Sequence, residues 1–138
     1  MELITKKLIE RQVLELWTEF KDNDFCKYNP LVPEKVKKGG LLFVGLNPSI
    51  RKKAILINFN NTLENYGFPP STDPYFGKFW KIAEQTGFCD AWSHFDLLYF
   101  RSNQKYVQKV MKDKVNKGDV FIWKQLQMSK ILLEKADA

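Results

Sequence analysis

The stretch Leu41-Leu42-Phe43-Val44-Gly45-Leu46-Asn47-Pro48-Ser49 decides how the rest of the chain is read. Leu41 to Val44 is an unbroken apolar run, bounded by Gly39-Gly40 before it and Gly45 after it. A run this short, without polar alternation, fits a strand buried on both faces, as at the centre of a parallel sheet. Gly45 to Ser49 is then the turn that leaves its carboxyl end, where ligands sit in open α/β sheets. Gly45 lets a ligand approach the backbone closely, and Pro48 stiffens the turn. Asn47 offers both a donor and an acceptor and cannot become charged. From these five residues alone an ordinary strand–loop turn is the simpler reading, because Asn-Pro is common in turns.

Outward from that strand the pattern alternates. Residues 2–21 read as an amphipathic helix, with Leu3, Ile4, Leu8, Val13, Leu16, Trp17 and Phe20 at three- and four-residue spacing. Residues 22–40 hold Pro30, Pro33 and the glycine pair, so they read as loop. Residues 54–59, AILINF, fit a short strand or a helical turn equally well. Gly67-Phe68-Pro69-Pro70 is loop, and Asp73-Pro74 opens a helix that ends at Gly87, with Phe76, Phe79, Trp80 and Ala83 on its buried stripe. FDLLYF (95–100) reads as a second buried strand, broken only by Asp96. A basic helical stretch (104–112) and a last helix from Gly118-Asp119 to Ala136, with Ile122, Leu126 and Leu133 on one side, complete the order. This predicts a single α/β domain over residues 1–138, a three-layer α/β/α arrangement around a parallel sheet, with an N-terminal helix 2–21 and a core 40–136. Two strands make a poor sheet. The expectation is a sheet incomplete at the C-terminal end, lacking a further portion of chain or completed by a second copy in a homodimer.

Composition narrows the class. The chain has 138 residues, 44% hydrophobic and 28% charged, which excludes a disordered or collagen-like polymer. Eleven Phe, five Tyr and four Trp can fill a core. No stretch approaches the roughly 20 apolar residues of a membrane span. The N-terminus mixes charges of both signs and does not read as a signal peptide. Cys26 and Cys89 lie far apart and form no CxxC, which argues against a disulfide scaffold or a structural zinc site. A soluble cytoplasmic domain without metal or cofactor is the expectation.

Charge is distributed unevenly. The net charge is +6, yet residues 35–63 alone carry +6 and residues 101–117 carry +5, so the remainder is acidic. Clustered cations suit a polyanion such as DNA, because each neutralised phosphate releases counterions; lysines also serve simply to keep a surface soluble. Only three of the 22 basic residues are Arg, which points to backbone contact rather than bidentate base reading.

The segment GLNPS resembles the Gly-x-Asn-Pro-Gly motif of the uracil-DNA glycosylase superfamily, in its mismatch-specific uracil/thymine glycosylase branch. GFPPSTDPYFGKFWKIAEQTGF (67–88) is similar to the segment of that branch that runs from Gly-Phe-Pro to a Pro-started helix with Phe-Trp-Lys and then Gly-Phe. FDLLYFR (95–101) stands where the family has its second strand and an Arg-containing loop. The resemblance covers roughly residues 40–136. It implies hydrolysis of the N-glycosidic bond of uracil or a mismatched or damaged base extruded from single-stranded or mismatched DNA, with no metal or cofactor. By this resemblance Asn47 is the catalytic residue that holds the attacking water. Gly45, Leu46, Pro48 and Ser49 line the base site. Arg51, Lys52, Lys53, Arg101 and Lys105 meet the DNA backbone at the carboxyl rim of the two strands.

The departures are specific. Ser49 replaces the second glycine of the motif, and Pro70 occupies the place of the aromatic that stacks on the base, leaving Phe68 or Tyr75 to substitute. The family's C-terminal loop, which follows a later strand, has no counterpart. A catalytically inactive or truncated glycosylase-fold module that binds nucleic acid or a protein partner is therefore the alternative. His94 reads as structural or exposed, Asp96 as either solvent-facing or marking the pocket, both cysteines as inert, and Trp17, Trp80 and Trp123 as core.

Overall fold

The computed structural model of the chain describes residues 2–50 and 57–138. It is a mixed α/β structure: strands β1 (Leu3–Thr5), β2 (Leu31–Pro33), β3 (Lys35–Lys37), β4 (Leu41–Gly45), β5 (Glu64–Tyr66) and β6 (Trp92–Asp96), with helices α1 (Glu10–Glu19), α2 (Gly77–Gln85), α3 (Gln104–Lys112) and α4 (Gly118–Ala136). The strands pair two by two: β1 with β3 antiparallel, β2 with β5 parallel, β4 with β6 parallel. Among the described residues no helix is long and apolar enough to cross a membrane.

The run LLFV is a strand, and its partner is parallel as expected, with Leu41 opposite Trp92 and Gly45 opposite Asp96. It is not the doubly buried central strand expected: its sheet has two strands, Leu41 to Phe43 are only part-buried and Val44 is 46% exposed. The partner lies three residues earlier than 95–100. Trp92, Ser93 and His94 belong to the strand, and residues 97–102 leave it as irregular backbone. The apolar character of FDLLYF has another cause: Leu98, Tyr99 and Phe100 are buried as a loop. α2 begins at Gly77 rather than Pro74; Asp73 still serves the entry to it, its Oδ1 accepting from the backbone N–H of Tyr75 and of Phe76 and its carbonyl from Gly77 N at 2.8 Å, so residues 74–76 form the turn that leads into the helix.

The expected N-terminal helix is divided. Leu3, Ile4 and Thr5 alternate out, in, out and pair with Lys37, Val36 and Lys35, and only the part from Glu10 on is α-helix. The stretch 22–40, read as loop, contributes β2 and β3. The core also extends well before residue 40: Ile9, Val13, Leu16 and Trp17 of the α1 region join Phe95, Leu98, Tyr99, Phe121 and Leu132 in one cluster. Phe121 is its hub, with the rings of Trp17, Phe20, Phe25 and Phe100 at 4.8–5.5 Å. On α4 the buried stripe runs through Ile122, Gln125, Ser129 and Leu132, so Leu133 and Trp123 face outward, at 38% and 61% exposure. The undecided stretch 54–59 lies largely outside the described residues; Asn58 forms an isolated bridge with Tyr28.

α4 carries two buried polar side chains with one task. Gln125 Oε1 accepts from Tyr99 N at 2.8 Å while its amide donates to Phe121 O. Ser129 Oγ donates to Leu97 O at 2.7 Å, so the Tyr99 hydroxyl donates to Ser129 Oγ. Both satisfy the backbone of the buried 97–102 loop, which has no ladder to join. Gln125→Leu keeps the volume and strands the Tyr99 N–H; urea unfolding is expected to show a loss of about 1–3 kcal/mol.

Candidate functional site

The turn Gly45–Ser49 stands at the carboxyl end of β4 and is bound along its length to the segment leaving β6. Leu97 N donates to Gly45 O, Leu98 N to Leu46 O and Ser102 N to Pro48 O, at 2.9–3.1 Å. Asn47 closes this arrangement. Its Nδ2 lies within 3.0–3.3 Å of Ser102 O, Ser102 Oγ, Phe100 O and Pro48 O. Two amide hydrogens are thus shared among four acceptors. The Asn47 carbonyl oxygen Oδ1 has no hydrogen-bond partner among the described residues. An amide oxygen there can accept from and orient a water; it cannot take up a proton near neutral pH.

Beside the turn lies a buried acid–base pair. His94 and Asp96 are both under 9% exposed, with Nε2 3.4 Å from Oδ1. A Cβ on Gly45 would collide with Asp96 Oδ1 and crowd His94 Nε2 at 3.3 Å, so the absence of a side chain at position 45 makes room for the pair rather than for a ligand alone. The imidazole sits among aromatic rings, stacked on Phe79 at 5.7 Å with Phe76 at 5.0 Å and Tyr66 at 5.9 Å. Neither ring nitrogen meets hydrogen-bond geometry with any described atom. Asp96 therefore does not face solvent, and His94 is neither exposed nor hydrogen-bonded into the core. The sequence signal for Asp96 was a carboxylate interrupting an apolar run; His94 had none.

The remaining expected site residues fall in different places. Pro48 is buried, Ser49 is exposed, and Leu46 is half-exposed. Phe68 is engaged: its ring packs on Trp92 at 4.6 Å and Trp80 at 5.3 Å, and Lys37 Nζ lies 4.1 Å from the ring centre. Tyr75 is 58% exposed and stands edge-on to Phe76 at 4.8 Å and Phe79 at 5.7 Å, with the His94 ring 6.5 Å away. Arg101 is not a free cation, because Glu64 of β5 holds its guanidinium in a largely buried ion pair. Lys105 is exposed on α3. Arg51, Lys52 and Lys53 lie outside the described residues.

A cavity of about 320 Å³ opens between β3, β6 and the segment after β5, lined by Lys35, Lys37, Tyr66, Phe68, Ser93 and His94. A larger groove of about 550 Å³ runs along α1 between Lys7, Arg11 and Glu15. None of the residues lining it is buried. Among the described residues no three His, Cys, Asp or Glu side chains gather as a metal site requires. Cys26 is buried and donates to Trp17 O; burial raises its thiol, which disfavours the nucleophilic thiolate. Comparison with protein families, with curated proteins and with solved structures finds no match.

Two expectations follow. Gly45→Ala forces the new methyl onto the Asp96 carboxylate, and a loss of about 1–3 kcal/mol in thermal or urea unfolding is expected, the usual cost of overpacking. The second concerns alkali. Burial raises Tyr66 well above the ordinary 10.0, with the Asp96 charge adding to it, and burial raises Tyr99 and Cys26 above 10.0 and 9.0. For acids held protonated by the fold, the unfolded chain gives up protons first, so stability falls once pH rises past those ordinary values. Thermal unfolding followed from about pH 8 to about pH 11 should show that decline, and Tyr66→Phe should make it shallower.

Proposed function

We propose that this chain is a uracil-DNA glycosylase-like protein that hydrolyses the N-glycosidic bond of uracil or of a mismatched or damaged base in DNA. The observation that carries the reading is Asn47. At the carboxyl end of a strand with a parallel partner, its amide nitrogen is committed to the 97–102 loop, while its oxygen is left unpaired among the described residues. In this reaction the C1′–N bond breaks with its electron pair leaving on the base. The sugar becomes oxocarbenium-like, and a water held by Asn47 Oδ1 adds to C1′. Gly45 and Leu46 would border the extruded base, Ser49 the DNA backbone, and Tyr75, the more exposed of the two, would take the stacking role ahead of Phe68. DNA, single-stranded or mismatched, is the proposed partner and the cytoplasm the proposed location. A three-layer α/β/α sheet is the proposed complete architecture, to which a second copy can add at β4.

A second reading has its own observation. The four contacts of Asn47 Nδ2 are those of a loop clamp, and a clamp needs no reaction to explain it. On that reading the chain is an inactive module of the same fold that binds nucleic acid or a protein partner.

Release of uracil from a labelled single-stranded or mismatched oligonucleotide separates the two. The proposal expects release by the wild type, a loss of at least ~10²-fold in Asn47→Ala, the scale of one positioned catalytic group, and near-normal release by Ser102→Ala, which loosens the clamp without touching Oδ1. Binding without release supports the inactive module. Equal losses in both variants would mean that Asn47 acts only as a clamp.

A further inference from the structure

Helix α3 sorts its residues by charge more sharply than its stability requires. Val107 and Val110 are buried, whereas Lys105, Lys109 and Lys112 are all exposed. Their spacing of four and three places them on one face, about 6 Å and 4.5 Å apart along the axis. None of the three makes an ion pair or side-chain hydrogen bond among the described residues. No acidic residue occurs between Asp96 and Asp113. The acids that follow are engaged, Asp113 by the backbone and side-chain amides of Asn116 and Asp119 by Lys114 Nζ at 2.9 Å.

The helix dipole accounts for part of this pattern only. Lys109 and Lys112 lie in the last turn, where a cation is favoured by the carbonyl end of the helix. Lys105 lies in the first turn, against the positive end, with no acidic residue in that turn and no ion pair among the described residues; Asp24, from the segment after α1, is close enough to act on the neighbouring Tyr106. A cation that the fold disfavours and leaves unpaired is suited to an anion from outside the chain. The face contains no Arg for bidentate reading of bases. Tyr106 is half-buried, which leaves α3 without an exposed aromatic on which unpaired bases could stack. The position of the helix is also set by the site: Asn103 caps it, with Oδ1 accepting from Tyr106 N at 2.8 Å, and the preceding Ser102 is held by Asn47.

We infer that the Lys105–Lys109–Lys112 face of α3 is a docking surface for the phosphate backbone of duplex DNA, read without regard to sequence. The inference rests on the nucleic-acid reading of the site but not on its catalysis.

The test is fluorescence anisotropy of the full chain with labelled duplexes of two unrelated sequences and with one single strand, titrated across salt. Replacing Lys105, Lys109 and Lys112 together by Gln should lower the log–log salt slope by about 2–3, each lost phosphate contact contributing about 0.9. A control replaces exposed Lys21, Lys78 and Lys135 by Gln, which removes the same charge, and should leave the slope within about one unit. Should the α3 triple variant fail to fold by thermal unfolding, Lys105→Gln alone should lower the slope by about 0.9. Equal losses in both triple variants, an unchanged slope, tighter binding to the single strand or no binding at low salt would overturn the inference. The same duplexes carrying uracil separate the two proposals. Release with no effect of α3 refutes only the docking surface; an α3-dependent slope without release refutes only the chemistry.

Discussion

The structure depends on satisfying the backbone of one buried, irregular segment. Residues 97–102 leave β6 through the interior, where Leu98, Tyr99 and Phe100 are at most 2% exposed. A buried peptide group without a partner costs about as much as a lost hydrogen bond, and no continuous strand ladder runs along this segment to supply one. Its partners come from three directions. The turn after β4 offers the carbonyls of Gly45, Leu46 and Pro48, α4 offers Gln125 and Ser129, and Leu31 N donates to Tyr99 O. The parallel pair, the last helix and the β2 strand are thereby tied to one another through a loop.

This constraint explains the composition of the candidate site. Asn47 is suited to its position because an amide donates to the carbonyls of Phe100 and Ser102 and still keeps an oxygen with a different outlook. A carboxylate at position 47 would face those same oxygens with no proton to give. Gly45 is suited because Asp96 and His94 occupy the space of its missing side chain. The fold and the proposed chemistry therefore draw on the same residues, and separating them experimentally requires variants that disturb one group of Asn47 at a time.

Much of this was legible in the residues. LLFV is continuous and bounded by glycines, and that trace gave the strand and its parallel partner but not its burial, since Val44 is 46% exposed in a two-stranded sheet. FDLLYF leaves the same trace for another reason, since a buried loop is as apolar as a buried strand, and periodicity cannot separate them. What distinguishes them is the polar pair Gln125 and Ser129, four apart on α4, which in sequence look like solvent-facing helix residues. Trp123 misleads in the opposite sense. Leu3 to Thr5 fits a helical stripe and a two-residue alternation alike, and the choice is made by β3, some thirty residues on. The turn at Asn47 was visible as a turn; the four acceptors of its amide lie up to 55 residues away and were not. Arg101 read as a free cation because its partner Glu64 is 37 residues distant.

Amide hydrogen exchange tests the central claim most directly. If the loop is held as described, the amides of Leu97, Leu98, Tyr99 and Ser102 exchange as slowly as those of the buried turns of α1 and α4, opening only with the whole molecule. In Asn47→Ala the Ser102 amide should exchange faster while the α1 amides keep their protection. Rapid exchange of residues 97–102 in the wild type, with α1 and α4 protected, would contradict the account.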